Sequence, residues 1–207
     1  MKGKFITFEG CEGVGKSRQI KMLEEYLQKK KVNYYLTREP GGTDISEQIR
    51  SVILDGKNTS MTDECEALLY AAARVQLLNE VIKKKLDEGV LVICDRYVDS
   101  SIAYQGYARG LGVDFIKKIN SFAIENFCPD YTVFLDLTPE LAFKRKGGVD
   151  KNDRLELSGI EFHNNVYKGY KALAELEPDR FLVIDASGER DQTHAKIIKA
   201  LEDKGVI

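Results

Sequence analysis

The chain has 207 residues and carries 31 Lys plus Arg against 33 Asp plus Glu, a formal charge of −2. That length suits one domain able to bury about 70 % of its unfolded surface, and 43 % hydrophobic with 31 % charged residues excludes a disordered or fibrous chain. Near-balanced charge argues against duplex nucleic acid as a partner, and no unbroken apolar run, that of residues 90–94 included, approaches the roughly 18 residues of a membrane span.

Met1-Lys2-Gly3-Lys4 leads straight into an apolar stretch without the pattern of a secretory signal, so a cytoplasmic location is expected. The first strand is expected at residues 4–9. It runs into Gly10-Cys11-Glu12-Gly13-Val14-Gly15-Lys16-Ser17, which matches G-x-x-x-x-G-K-[ST], and a helical pattern follows from Arg18. In that context the motif is a phosphate cradle, or P-loop. Its glycines let successive N–H groups face phosphate oxygens, Lys16 reaches the β and γ phosphates, and the Ser17 hydroxyl ligates Mg²⁺. No guanine-specifying N-K-x-D is supplied by Lys57-Asn58 or by Lys151-Asn152-Asp153, which favours ATP as the nucleotide.

The second strand, residues 32–37, runs out into Arg38-Glu39-Pro40-Gly41-Gly42-Thr43. Thr62 followed by Asp63 and Glu64 starts a long helix that reaches about Glu88 before Gly89 stops it. The third strand, residues 90–95, runs out into Asp95-Arg96-Tyr97. Arginines at two strand ends beside a P-loop place two planar forks where ligands bind in open α/β sheets, as a second phosphate requires; either alone reads as a surface ion-pair partner. Asp95 has two readings, a Mg²⁺ ligand through water or a structural partner of an arginine. Tyr70 and Arg74 lie four apart, as do Ser101 and Gln105, so each pair projects from one helix face. An aromatic ring with Arg, Ser and Gln makes a plausible nucleobase wall, although Tyr70 also reads as core packing.

After a fourth strand at residues 131–137, Thr138-Pro139-Glu140 places a cap, a first-turn proline and an acid. Residues 144–155 are basic, glycine-containing and poor in apolar side chains, the expected flap. Ser158-Gly159-Ile160-Glu161 fits a capping box, and a fifth strand at residues 180–185 precedes a closing helix over residues 190–204. The alternation is that of a five-stranded parallel sheet with helices on both faces, one domain over residues 1–207. Cys11, Cys65, Cys94 and Cys128 are widely spaced, so reduced thiols without a zinc site are expected. For Cys11 the P-loop amides would favour a reactive thiolate and packing an inert thiol.

These motifs together closely resemble the thymidylate kinase family, P-loop nucleoside monophosphate kinases that convert dTMP to dTDP. The resemblance rests on Phe8-Glu9-Gly10 entering the P-loop, Thr37-Arg38-Glu39-Pro40-Gly41-Gly42-Thr43, Tyr70-Ala71-Ala72-Ala73-Arg74, Asp95-Arg96-Tyr97 with Ser100-Ser101-Ile102-Ala103-Tyr104-Gln105-Gly106, and Asp153-Arg154-Leu155-Glu156. It implies a three-layer α/β P-loop NTPase fold with a short flap, ATP and dTMP as partners, Mg²⁺ as cofactor, and a homodimer for which residues 64–86 offer an apolar face. Arg38 and Arg96, with Arg50 and Pro40 beside them, would hold the dTMP phosphate. Arg74, Ser101 and Gln105 would read the thymine edge, and Tyr70 takes the stacking position where the family more often has Phe. Tyr104 would crowd the sugar 2′ position, and Glu12 would face the 3′-hydroxyl or a Mg²⁺-bound water. Arg145 and Arg154 flank the flap while residues 11–14 lack arginine, the bacterial-type arrangement. The catalytic set implied is Lys16, Arg96, Arg145 and Arg154.

On this reading Lys16, Arg38, Arg74, Arg96, Arg145 and Arg154 converge on one cleft while the acids lie elsewhere. Two rivals stand beside it. A deoxynucleoside kinase of similar fold would use Glu39 as a base toward a neutral hydroxyl, and an ATP-dependent switch would need no small-molecule acceptor.

Overall fold

In the computed structural model, which describes residues 2–146 and 158–207 without the side chain of Lys146, five strands form one sheet. They are β1 (Phe5–Glu9), β2 (Tyr34–Arg38), β3 (Leu91–Asp95), β4 (Tyr131–Asp136) and β5 (Phe181–Asp185). The order across the sheet is β2-β3-β1-β4-β5, and every neighbouring pair is parallel. Parallel neighbours need crossover connections, and helices supply them: α1 (Lys16–Lys30), α2 (Asp44–Leu54), α3 (Asp63–Leu77), α4 (Lys83–Asp87), α5 (Val98–Ser101), α6 (Val113–Ile119), α7 (Ser121–Asn126), α8 (Pro139–Lys146) and α9 (Gly159–Leu176), with α10 (Arg190–Asp203) following the last strand. No helix among the described residues is long and apolar enough to cross a membrane.

The central strands are buried on both sides, as their unbroken Phe, Ile, Val and Leu require; Ile6, Phe8, Val92, Val133 and Phe134 are fully inaccessible. Adjacent β1 and β3 send their chains in opposite directions, β1 onward to β2 and β3 onward to β4. The crevice at such a reversal, outside the carboxyl strand ends, is the ligand position of open α/β sheets. The P-loop follows β1 and Arg96 follows β3, so both open into it.

All five strands fall within two residues of expectation. The largest shift is at β2, because Lys31 turns left-handed at φ 56° and Val32 N–H closes helix α1 by bonding Leu27 O. Thr62 caps α3 as expected, its hydroxyl accepting from Cys65 N–H at 3.3 Å. The long helix to Gly89 is interrupted by a π turn at Leu78–Ile82, and a second π segment, Ile102–Ala108, follows α5. One expectation fails. Ser158 already has helical angles, φ −71° and ψ −3°, so its hydroxyl makes no cap, and the capping box is formed instead by Glu189 and Gln192 at α10.

Helix α9 packs directly on the second π segment, and Gly169 permits the approach: a Cβ there would lie 3.0 Å from Ala103 Cα and 3.0 Å from the Tyr107 ring. Backbone cannot yield as a flexible side chain can, so Gly169→Val should destabilise by about 1–3 kcal/mol. A thermal melt should read this as a fall of several degrees; an unchanged melting temperature would contradict the packing described.

Candidate active site

The P-loop is built by backbone that most residues disfavour. Gly13 and Gly15 stand at φ 75° and 95°, and Gly15 precedes α1 without a side-chain cap or an acid in the first turn. Such an uncapped N-terminus is suited to an anion. Lys16 is buried, its Nζ 3.9 Å from Asp95 Oδ1, and burial followed by the neighbouring Arg96 charge pulls its ammonium pKa below the ordinary value. Two cavities flank this loop and share Glu12, Lys16 and Ser17. One, of about 620 Å³, is bordered by Gly13, Val14 and Gly15 of the loop, though not by Gly10 or Cys11, and by Arg145 and the segment around Gly188 to Arg190. The other, of about 240 Å³, contains Arg38, Pro40, Arg50, Tyr70, Arg96, Ser101, Tyr104 and Gln105.

Arg96 is the centre of the smaller cavity. Its Nη1 donates to Gly10 O at 3.1 Å and to the hydroxyls of Ser100 and Tyr170 at 3.2 Å, and its Nη2 donates to Glu12 and to the Tyr104 hydroxyl. The residue stands at φ 70°, unusual for a side chain with Cβ. Glu9 holds it there. That fully buried carboxylate accepts from Tyr97 N–H at 2.7 Å, Ser100 N–H at 3.3 Å, the Ser100 hydroxyl at 2.6 Å and the Tyr170 hydroxyl at 2.8 Å. Burial, then Asp99, raises its pKa to about 7, against Arg96 and the hydroxyl donors. On the opposite side Arg38 is half exposed and pairs with Glu47 at 2.9 Å, which also receives Gly42 N–H, while Arg50 donates to Pro40 O at 2.9 Å.

The base wall differs from expectation in one respect. Arg74 is 1 % exposed and does not line the cavity. Its guanidinium donates to Glu39, to Asn120 and, through both terminal nitrogens at 3.2 Å, to the Ser101 hydroxyl. Arg74 thus orients Ser101 from behind, while Tyr70, Ser101, Tyr104 and Gln105 face the space. The expected segregation of cations from acids also fails. Glu12 pairs with Arg96, Glu39 with Arg74 and Asp95 stands beside Lys16, because a cation removed from water needs a partner there, and the half-exposed Arg38 pairs with Glu47. The cation that stands beside Asp95 is Lys16, rather than the arginine expected as its structural partner.

Comparison with known proteins agrees with this geometry. The thymidylate kinase family model matches residues 8–197. Thymidylate kinase of Bacillus pumilus (strain SAFR-032) is 47 % identical over 206 residues, covering 98 % of this chain and 97 % of that protein. Thymidylate kinase of Clostridium novyi (strain NT) is 48 % identical over 198 residues, covering 95 % and 97 %. The chain belongs to the thymidylate kinase family.

The two arginines expected at the flap fare differently. Arg145 lines the larger cavity and donates to the carbonyls of Ala186, at 2.6 Å, Ser187 and Gly188. Arg154, with residues 147–155 of the expected flap, lies outside the described residues. Glu9, Glu66 and Tyr170 hold cavity residues from behind and Asn120 holds Arg74, and sequence reasoning gave none of the four a site role. Glu9 stands within a quoted motif, yet burial is not written in spacing.

A Mg²⁺ ion, which this family's chemistry uses, fits the donors present. Asp95 Oδ1 is buried without a hydrogen-bond partner among the described residues, and Ser17 borders the same cavity. Cys11 resolves toward packing: it is 1 % exposed, and burial pushes its thiol up to about 12, outweighing Arg96 and Lys16. A thiol reagent at pH 8 should therefore modify exposed Cys65 and Cys128 and reach Cys11 and Cys94 only after unfolding. Peptide mapping checks this, and labelling of Cys11 in the native protein would contradict it.

Proposed function

We propose that the two cavities hold ATP and dTMP on opposite sides of the P-loop, and that the enzyme transfers the γ-phosphoryl group to the dTMP 5′-phosphate, yielding dTDP and ADP. The observation that carries this reading is the sharing of Glu12, Lys16 and Ser17 by both cavities, with Arg38, Arg50 and Arg96 in the smaller one. Tyr70, Ser101 and Gln105 would receive the thymine, and Tyr104 beside Glu12 would border the sugar.

The acceptor phosphate is already anionic near neutral pH, so no general base is required. Catalysis rests on positioning and charge neutralisation by Lys16 on the donor and Arg96 on the acceptor. Mg²⁺, held by the Ser17 hydroxyl and through water by Asp95, would supply further neutralisation of the donor phosphates. Arg145, tied to three carbonyls, serves the nucleotide side, which leaves Arg154 for the transferring group. The same reading takes the enzyme as cytoplasmic and homodimeric; exposed Leu68 and Val75 on α3 lie within the apolar face offered for the dimer.

One observation favours a deoxynucleoside kinase. Glu39 lines the cavity, burial raises its pKa to about 7 against the pull of Arg74, and its Oε1 accepts no hydrogen bond among the described residues. Such a group could serve as a base. Turnover of dTMP but not of thymidine, followed by ADP release, is expected; the reverse preference would overturn the proposal.

Two substitutions test the roles. Lys16→Ala should abolish turnover while dTMP still binds in calorimetry, and loss of dTMP affinity as the main effect would contradict the donor-side role. Arg154→Ala should lower kcat by about 10³ with a much smaller change in the dTMP KM. Equal effects on both would make Arg154 a spectator.

A further inference from the structure

Behind the base wall lies a buried acid that the reaction does not use. Glu66 is 0 % exposed, on α3 one turn before Tyr70. Its Oε1 accepts from Gln105 Nε2 at 2.8 Å, and its Oε2 accepts from Arg109 Nη2 at 3.1 Å. Arg109 is in turn fixed by Asp63 at 3.2 Å and by lying over the Phe162 ring at 4.8 Å.

A carboxylate beside a guanidinium can only accept, so the Gln105 amide nitrogen must face Glu66. The carbonyl oxygen is then the end of Gln105 left for the cavity that this residue lines. Ser101 is polarised in the opposite sense, because its oxygen accepts twice from Arg74 and its own hydrogen is left to donate elsewhere. The wall therefore presents one acceptor and one donor, each set by an ion pair hidden behind it.

We infer that Glu66, anchored by Arg109, is a specificity-determining positioning residue, which fixes the Gln105 amide so that the pocket takes pyrimidines with an N3–H and a 4-oxo group and rejects 4-amino pyrimidines. Cytosine carries an acceptor at N3 and a donor at C4, so both wall groups would meet a like partner and lose their hydrogen bonds. The inference rests on the smaller cavity being the dTMP site.

Glu66→Gln tests it, since a neutral amide at position 66 can donate as well as accept and lets Gln105 turn over. The ratio of kcat/KM for dTMP over dCMP should fall by about 10-fold or more, chiefly through KM. A merely structural role would lower both substrates together and leave the ratio unmoved, so an unchanged ratio in a variant with native melting overturns the inference. The unmodified enzyme gives an arm independent of folding. The 3-deaza analogue of dUMP, a 4-hydroxy-2-pyridone that lacks both the N3–H and the 4-oxo group, should bind about 10-fold or more weakly than dUMP in calorimetry. Equal affinity would overturn the inference while leaving dTMP turnover, and so the assignment of the site, intact; absence of dTMP turnover would sink both.

Discussion

The cleft depends on one buried carboxylate. Glu9 ends the central strand β1, and its two oxygens take four hydrogen bonds from the turn after β3 and from α9. A left-handed non-glycine residue costs of order 1–3 kcal/mol, and persists where surrounding structure over-determines it. Tyr97 N–H, bonded to Glu9, fixes the peptide after Arg96, and Arg96 N–H, bonded to Phe8 O, fixes the one before, so the residue is held at φ 70°. The guanidinium is thereby delivered to Gly10 O at the mouth of the P-loop. The two cavities proposed for donor and acceptor are thus registered to each other through a single side chain, which suits a reaction that gains mostly from positioning.

Charge in the cleft follows the same logic of local compensation. A chain with net charge −2 can serve two polyanionic nucleotides because cations are concentrated around the P-loop, but they are not left bare. Four are matched to an acid, Lys16 to Asp95, Arg38 to Glu47, Arg74 to Glu39 and Arg96 to Glu12, while Arg50 and Arg145 donate to backbone carbonyls. The exposed Arg38 pair is weak by its nature and free to exchange its carboxylate for a phosphate. The Arg74–Glu39 pair is sealed, and Arg74 donates to the Ser101 hydroxyl from behind the cavity wall.

What could be read from the sequence was what local chemistry dictates. Strand runs buried on both faces, the P-loop between β1 and α1, and Arg38 and Arg96 at strand ends follow from periodicity and glycine placement, and the structure keeps them. Roles that depend on what lies behind a side chain did not. Arg74 has the helical spacing of a base reader, yet Glu39 and Asn120 arrive from 35 and 46 residues away to take its donors. Ser158 has the composition of a cap and the wrong backbone angles for one. The π segment Ile102–Ala108 leaves no periodic signature, because one widened turn is shorter than any window that could reveal it.

The most direct test of Glu9's organising role is the pair of Michaelis constants in Glu9→Gln, measured beside a thermal melt. Gln keeps the shape but loses the charge that accepts from two amides and two hydroxyls. With native melting retained, the KM for dTMP should rise by about 10-fold or more, as loss of charge-assisted hydrogen bonds predicts, and the KM for ATP should move far less. An unchanged dTMP KM in the folded variant, or equal rises for both substrates, would contradict the account.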